Sequence, residues 1–239
     1  MPLHHLPRLT RPGLFITGTD TAVGKTHIAC AIAAILARQR RVAVAKPFAT
    51  GCRRDAAGQF IHDDAEALAD AVGRPHAQEL VAPVCFEAPL APAVAAERAG
   101  TSINWPALAA ALTRLDADSD AIVVEGVGGA MVPLDPAHPE LGVRDLVAAL
   151  GLPAIVVARA GLGTLNHTVM TVHVLRQVGC LVAGLVINEH GVDQADPSLA
   201  HNHRWLERLT GVAVLASLPT CADPRPHLAA VDWQAVMAG

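Results

Sequence analysis

The most readable chemistry in this sequence lies in Gly18-Thr19-Asp20-Thr21-Ala22-Val23-Gly24-Lys25-Thr26. Before it stands Leu14-Phe15-Ile16-Thr17, an apolar run of strand formers. After it runs His27 to Arg38, dense in Ala, Ile and Leu without Gly or Pro. Strand, glycine-bounded loop and helix in that order are the setting in which a phosphate-binding loop works. The loop opens on a helix N-terminus, where unpaired backbone N–H groups and the positive end of the helix dipole attract a polyphosphate. Lys25 can reach the terminal phosphates, and the Thr26 hydroxyl can sit on a magnesium ion. The spacing departs by one residue from the common pattern: the expected glycine position is Thr19, and the glycine is Gly18.

Further groups stand at the ends of apolar runs. Lys46 follows Arg41-Val42-Ala43-Val44-Ala45 and precedes Pro47, which ends a strand ladder. Glu125 ends Asp120-Ala121-Ile122-Val123-Val124, and an acid there beside a phosphate loop is the Walker B arrangement. Magnesium on a nucleotide takes few protein ligands, all hard oxygens, and Thr26, Asp64 and Glu125 supply a hydroxyl and two carboxylates. Asp63 or Asp64 also reads as the cap of a helix over 65–69. Asn188 closes another apolar run from Leu181, and Gly161-Leu162-Gly163-Thr164 turns from Ala154–Ala158 into a helix.

Other clusters carry less. His62-Asp63-Asp64 and His201-x-His203 lack a third metal ligand at readable spacing and read as surface histidines. Nothing marks Cys52 or Cys221 as a nucleophile. Asp116, Asp118 and Asp120 read as a solvated turn.

The elements that position these groups follow from periodicity. Strands are expected at 14–17, 41–45, 120–126, 154–158, 181–187 and 212–215. Helices are expected over 27–38, 65–69, 104–115 with Asn104 as cap, 143–150, 165–178 and 199–209. Residues 48–51, 52–61 and most of 83–100 read as loops, the last with one short helical piece. Continuous rather than alternating apolar runs suit parallel strands covered on both faces. The fold class is therefore α/β, a doubly wound, mainly parallel sheet in a three-layer, P-loop NTPase-like architecture. In such sheets ligands gather beyond the carboxyl ends of the strands, where the phosphate loop, Lys46, Glu125, the turn after Ala158 and Asn188 stand. Residues 1–12 read as an N-terminal extension and 13–239 as a single domain.

Composition narrows the class. Of 239 residues, 52% are apolar and 17% charged, which excludes a disordered chain. A formal net charge of −4 without a basic block speaks against nucleic acid as a partner. Five unpaired-looking cysteines argue against a disulfide framework and for a reducing compartment. The first residues lack a signal-peptide core, and no stretch reads as a membrane span, so a cytoplasmic protein is expected.

Taken together, the motifs resemble those of the dethiobiotin synthetase family from about Leu14 to Pro219. The loop at 18–26 is similar to that family's phosphate loop, extra residue included. Lys46-Pro47-Phe48-Ala49-Thr50-Gly51 resembles its Lys-Pro-x-x-Ser/Thr-Gly, Asp64-Ala65-Glu66-Ala67-Leu68 its aspartate-led helix, Val124-Glu125-Gly126-Val127-Gly128-Gly129 its Val-Glu-Gly-x-Gly-Gly, and Gly161-Leu162-Gly163-Thr164-Leu165-Asn166-His167 its glycine turn and Asn-His helix start. The resemblance implies a cytoplasmic ligase that uses ATP, magnesium and carbon dioxide to close 7,8-diaminononanoate into a cyclic urea. An amine carbamate forms, its oxygen takes the γ-phosphoryl group, and the second amine displaces phosphate.

By the same resemblance, Lys25 and Lys46 are catalytic and Thr26, Asp64 and Glu125 hold magnesium. The nucleotide is bordered by Thr21, Ala22, Val23, Gly24, Lys25, Thr26 and His27, by Asp64 and Glu125, by Gly126, Val127 and Gly128, and by Asn188, Glu189, Pro219, Thr220 and Cys221. Thr50, Gly163, Thr164, Leu165 and Asn166 are implied on the substrate, and a homodimer is implied, with the substrate carboxylate near the turn at 161–165 held by a helix N-terminus of the partner subunit. Two departures are visible. Residues 1–12 extend beyond the family's usual start, and Gly161 stands where some members carry Lys, which leaves the carboxylate grip to backbone. A rival is a switch ATPase of the septum-site or plasmid-partition type, which binds protein partners. Its signature lysine, five residues before the loop lysine, is Asp20 here. The synthetase half of a cobyrinate-type amidotransferase is a second rival, but the chain has no room for a glutaminase domain.

Overall fold

The computed structural model describes residues 2–193 and 195–238. A 3₁₀ turn at Pro2–His5 leads into β1 (Gly13–Gly18), α1 (Lys25–Ala37), β2 (Val42–Ala45), β3 (Phe48–Thr50), the two-residue strands β4 (Arg53–Arg54) and β5 (Phe60–Ile61), α2 (Asp63–Ala71) and α3 (Gln78–Val81). Next come β6 (Val84–Phe86), α4 (Pro92–Ala99), α5 (Trp105–Ala117), β7 (Ala121–Gly129), β8 (Pro133–Asp135), β9 (His138–Gly142) and α6 (Val143–Leu150). The chain continues through β10 (Ala154–Arg159), α7 (Thr164–Gln177), β11 (Val182–Asn188), α8 (Leu199–Thr210), β12 (Val214–Leu218), α9 (Arg225–Leu228) and α10 (Trp233–Ala238).

Six strands form one parallel sheet in the order β12-β11-β10-β1-β7-β2. Successive residues of a strand face opposite sides, and here both sides are covered. Phe15, Ile122, Val124 and Val156 pack with Leu108, Leu112, Leu146 and Leu175 of the helices on one face. Leu14, Ile16, Val123 and Val157 pack with Ile28, Ile32 and Leu68 on the other. Each such buried side chain stabilises the fold by about 1.5–3 kcal/mol relative to exposure. The apolar runs are continuous because neither face meets water.

Several loops of the sequence reading are ordered pieces of structure. Phe48–Thr50 is a strand paired in parallel with β6, and 52–61 holds the antiparallel β4–β5 pair. The 83–100 stretch contains β6 and α4, and the β8–β9 hairpin and two short C-terminal helices were not foreseen. Neither Asp63 nor Asp64 caps α2. His62 takes that position, and the two aspartates fill the first turn, where the dipole favours negative charge. Asn104 does cap α5, accepting from Ala107 N at 3.0 Å.

The solvated-turn reading fails for Asp116. Its buried carboxylate accepts from Thr10 N at 3.0 Å, Thr10 Oγ1 at 2.7 Å and Arg11 N at 2.9 Å. Leu6 and Leu9 are buried against the core beside it. The spacing of three aspartates in a polar stretch resembles a turn, and only the distant partner at Thr10 distinguishes the anchoring one.

Candidate active site

Strand order assembles the site. β1 stands between β10 and β7, and β2 flanks β7, so the loop after Gly18, Glu125 on β7 and Lys46 just after β2 meet at one sheet edge. Ile16 pairs with Glu125, and Ala45 with Val124. The Lys46 backbone is pinned by a 2.7 Å bond from its N–H to Val81 O.

Gly24 shows why the loop needs glycine. It begins α1 at φ 94°, a left-handed conformation that side chains resist. A Cβ there would also lie 2.1 Å from Asn188 Nδ2. Asn188 presses on the loop in this way because its Nδ2 donates to Val23 O at 3.0 Å, while its Oδ1 accepts from His190 N at 3.2 Å. The loop is thus braced from β11, two strands away.

At the centre of the site, the Lys46 ammonium, 4% exposed, donates to Glu125 Oε1 at 2.6 Å and Asp64 Oδ2 at 2.9 Å. Thr26 Oγ1 donates to the same Glu125 Oε1 at 2.8 Å. Glu125 Oε2 is buried with no partner among the described residues. Lys25 folds back, its Nζ donating to Asp20 O at 2.8 Å.

Burial first, then repulsion from Lys46, push the Lys25 ammonium down to about 8, against the pull of Glu125 and Asp64. Burial works the same way on Lys46, but the charges and hydrogen bonds of Glu125 and Asp64 outweigh it and hold its pKa above the ordinary value. For Asp64, burial pushes upward, and the Lys46 charge and hydrogen bond prevail, keeping the carboxyl below its ordinary range. Cys30 lies behind this cluster, where burial and the two carboxylates push its thiol up to about 12.

A cleft of about 550 Å³ opens over the cluster. Thr21, Ala22, Gly24, Lys25, Thr26 and His27 line one wall. Lys46, Thr50, Asp64 and Glu125 line the next, and Val127, Gly128, Asn188 and Cys221 complete it. His62 and His190 also line it. Sequence reasoning missed His190 and dismissed His62 as a surface residue. Position alone, next to Asp64 and next to Glu189, was the signal available.

Other sequence-assigned residues stand elsewhere. Val23 is buried beneath the loop, contributing its carbonyl to Asn188. Gly126 packs so closely that a Cβ would meet the Phe15 ring at 2.9 Å. Glu189, Pro219 and Thr220 lie beyond the cleft lining, with Thr220 Oγ1 on Glu189 O at 3.4 Å. Gly163, Thr164, Leu165 and Asn166 form the cap and start of α7, outside this cleft. The Thr164 hydroxyl is buried against that of Thr168 at 3.3 Å. The backbone grip expected at Gly161 is narrowed, since Leu162 N already donates to Asp196 Oδ2 at 2.9 Å. A Cβ at 161 would meet the same carboxylate oxygen at 3.0 Å.

The donor set fits a nucleotide with a hard cation. One hydroxyl and two carboxylates converge, and a buried carboxylate oxygen is left over. No group of three His, Cys, Asp or Glu side chains that could hold a metal ion occurs among the described residues, so the protein's share would be the Thr26 hydroxyl and two carboxylates. That suits an ion completed by phosphate and water.

Comparison with known proteins decides among chemistries that share this geometry. A family model described as "AAA domain" matches residues 12–227. The ATP-dependent dethiobiotin synthetase BioD of Anaeromyxobacter dehalogenans strain 2CP-C is 45% identical over 87% of this chain and 89% of its own length. The protein of the same name from Bacillus subtilis strain 168 is 38% identical over 88% of each chain. The chain belongs to the dethiobiotin synthetase family. Among solved structures, a ParA family ATPase from Chlorobium tepidum superposes with a TM-score of 0.52 at 14% identity, covering 96% of this chain and 91% of its own. Cell division protein FtsY from Thermotoga maritima gives 0.51 at 16%, covering 99% and 73%. These likenesses establish the P-loop ATPase fold that the dethiobiotin synthetase family shares with switch ATPases, and nothing narrower.

Proposed function

We propose that the chain is an ATP-dependent dethiobiotin synthetase, joining carbon dioxide to 7,8-diaminononanoate and closing the ureido ring with formation of ADP and phosphate. Family membership supports the reading. The carrying observation is the buried Lys46 ammonium, held by Glu125 and Asp64 in the same cleft as Lys25. A carbamate and a triphosphate are both anionic, so bringing them together requires cations on either side. Phosphoryl transfer asks the protein for positioning and charge stabilisation rather than covalent chemistry.

In this reading Lys25 leaves Asp20 O for the β- and γ-phosphates, and the loop N–H groups at the α1 N-terminus hold the rest of the polyphosphate. Lys46 faces the point where carbamate oxygen meets phosphorus. Glu125 and Asp64 orient that ammonium and keep it protonated. Thr50, at the end of β3, touches the diamine. Thr26, Glu125 and Asp64 would hold magnesium, which supplies neutralisation of phosphate charge. Braced by Asn188, the loop stays in place through the reaction, so nothing need be spent on ordering it.

We read the assembly as a homodimer in the cytoplasm, with 13–239 a single domain and 1–12 an extension tied to it through Asp116. No helix among the described residues is long and apolar enough to cross a membrane. An exposed apolar pair, Met131 and Met170, edges a second cleft beside Thr19 and Asp20, and supports a partner subunit seated near the phosphate loop. The reading is tested by measuring dethiobiotin and ADP in equal amounts from ATP, bicarbonate and diamine. ATP turnover that ignores the diamine would favour the switch ATPase.

A further inference from the structure

His62 occupies the N-cap position of α2, where Ser, Thr, Asp or Asn would accept a hydrogen bond from the first turn. It makes no such bond. Its ring turns instead toward β3, with Nε2 3.1 Å from Thr50 O. A carbonyl can only accept, so Nε2 carries the hydrogen. Nδ1 is buried with no partner among the described residues, an arrangement that burial penalises. The ring orientation therefore serves neither the helix cap nor its own second nitrogen.

The bond closes a circuit. Lys46 connects to Thr50 through β3, and Thr50 to His62 through the hydrogen bond. His62 leads into the first turn of α2, and Asp64 on that turn returns to Lys46 at 2.9 Å. Between Thr50 and His62 the chain leaves through Gly51 at φ 82° and makes the exposed β4–β5 excursion. The ion pairs of that excursion, Arg53 with Asp63 and Glu66 and Arg54 with Glu87, are about half exposed or more on the arginine side and stiffen it little.

We propose that His62 is a positioning residue for the diamine. By pinning the Thr50 carbonyl to α2, it fixes the substrate-facing end of β3 in register with Lys46 and Asp64. The inference rests on the proposed function. The phosphate loop is held separately, by Asn188, so the nucleotide should feel the change less than the diamine does, through Asp64 alone.

Steady-state kinetics with ATP, bicarbonate and diaminononanoate test this, with thermal unfolding measured beside them. His62→Ala should raise the KM for diamine and lower kcat, together by roughly 10–100-fold in kcat/KM. The KM for ATP should rise several-fold less than that for diamine, since the phosphate loop keeps its brace on Asn188. His62→Gln should recover most of the loss, because its amide nitrogen can occupy the place of Nε2. A wild-type KM for diamine in His62→Ala overturns the proposal. So does an equal rise in both KM values, or a Gln variant no better than Ala, either of which would mark a merely structural residue. A wild-type chain that makes no dethiobiotin sinks the proposed function and this role with it. An active wild type with an unaffected Ala variant sinks this role alone.

Discussion

Removing Lys46 should have two separable effects, on stability and on turnover. Its ammonium faces Glu125, whose side chain is fully buried, and Asp64, whose side chain is 40% exposed. Lys46→Gln leaves the Glu125 charge buried with neutral donors alone, the Thr26 hydroxyl and the new amide, since Oε2 has no partner already. Breaking a buried pair from one side costs about 3–5 kcal/mol. The half-exposed Asp64 pair adds about 0–1 kcal/mol. Urea unfolding should therefore show a loss of about 3–5 kcal/mol, nearly all from Glu125. Adding Glu125→Gln removes the stranded charge and should return most of that stability. Turnover should behave differently. Loss of a preorganised stabilising group costs roughly 10²–10³ in kcat, and the double variant, lacking both groups, should be no faster than the single one. Recovery of turnover along with stability in the double variant would refute the catalytic placement of Lys46. So would near-normal turnover in Lys46→Gln.

Lys25, brought down to about 8 by burial, must be protonated to act, so kcat/KM for ATP should fall as pH rises through about 8. Lys46 contributes to that lowering, so residual activity of Lys46→Gln should show the falling limb at higher pH, and an unmoved limb would contradict the assignment. Gly24→Ala forces a side chain into a left-handed backbone and onto Asn188; calorimetry should show ATP binding lost, and near-normal affinity would mean that the loop is not braced as described. Asp116→Ala removes the acceptor of three donors on Thr10 and Arg11 and should lower stability by about 1–3 kcal/mol. Burial opposes but those hydrogen bonds hold the Asp116 carboxyl below its ordinary 3.8, so its stabilisation is present above that pH and fades as pH falls through the lower folded value; acid unfolding of the variant should lack this component. Light scattering of Met131→Asp should report dissociation of a dimer, and a monomeric wild type with full activity would dispose of the interface.

The parts of the fold legible in the sequence are those where one physical cause dominates. β1, β7 and β10 were readable because strands buried on both faces must be apolar at every position. The loop to Thr26 was readable because Gly24 has no substitute at its backbone conformation. β3 was missed because three residues carry no period, and its pairing with β6 depends on a segment some thirty-five residues on. Asp116 looked solvated because its partners lie at the other end of the sequence. The site followed the same division. Lys46 and Glu125 stood out as charges ending apolar runs, and the parallel sheet brought them to 2.6 Å. His62 did not, because its role depends on where Thr50 lies across an eleven-residue excursion. Asn188 was placed on the nucleotide, and it does line the cleft; that its amide also grips the phosphate loop is a contact no local pattern announces.

In the proposed mechanism the buried Lys46 and Lys25 bring a carbamate and a triphosphate together. The most direct measurement is isotopic: incubate the chain with ATP, magnesium, diaminononanoate and ¹⁸O-labelled bicarbonate, and follow the label into phosphate by mass spectrometry. Transfer of the γ-phosphoryl group to a carbamate oxygen predicts one labelled oxygen in the phosphate released for each dethiobiotin formed, and none when the diamine is omitted. Phosphate carrying no label, its fourth oxygen taken from water, and released at the same rate with or without diamine, would instead mark a nucleotide hydrolase.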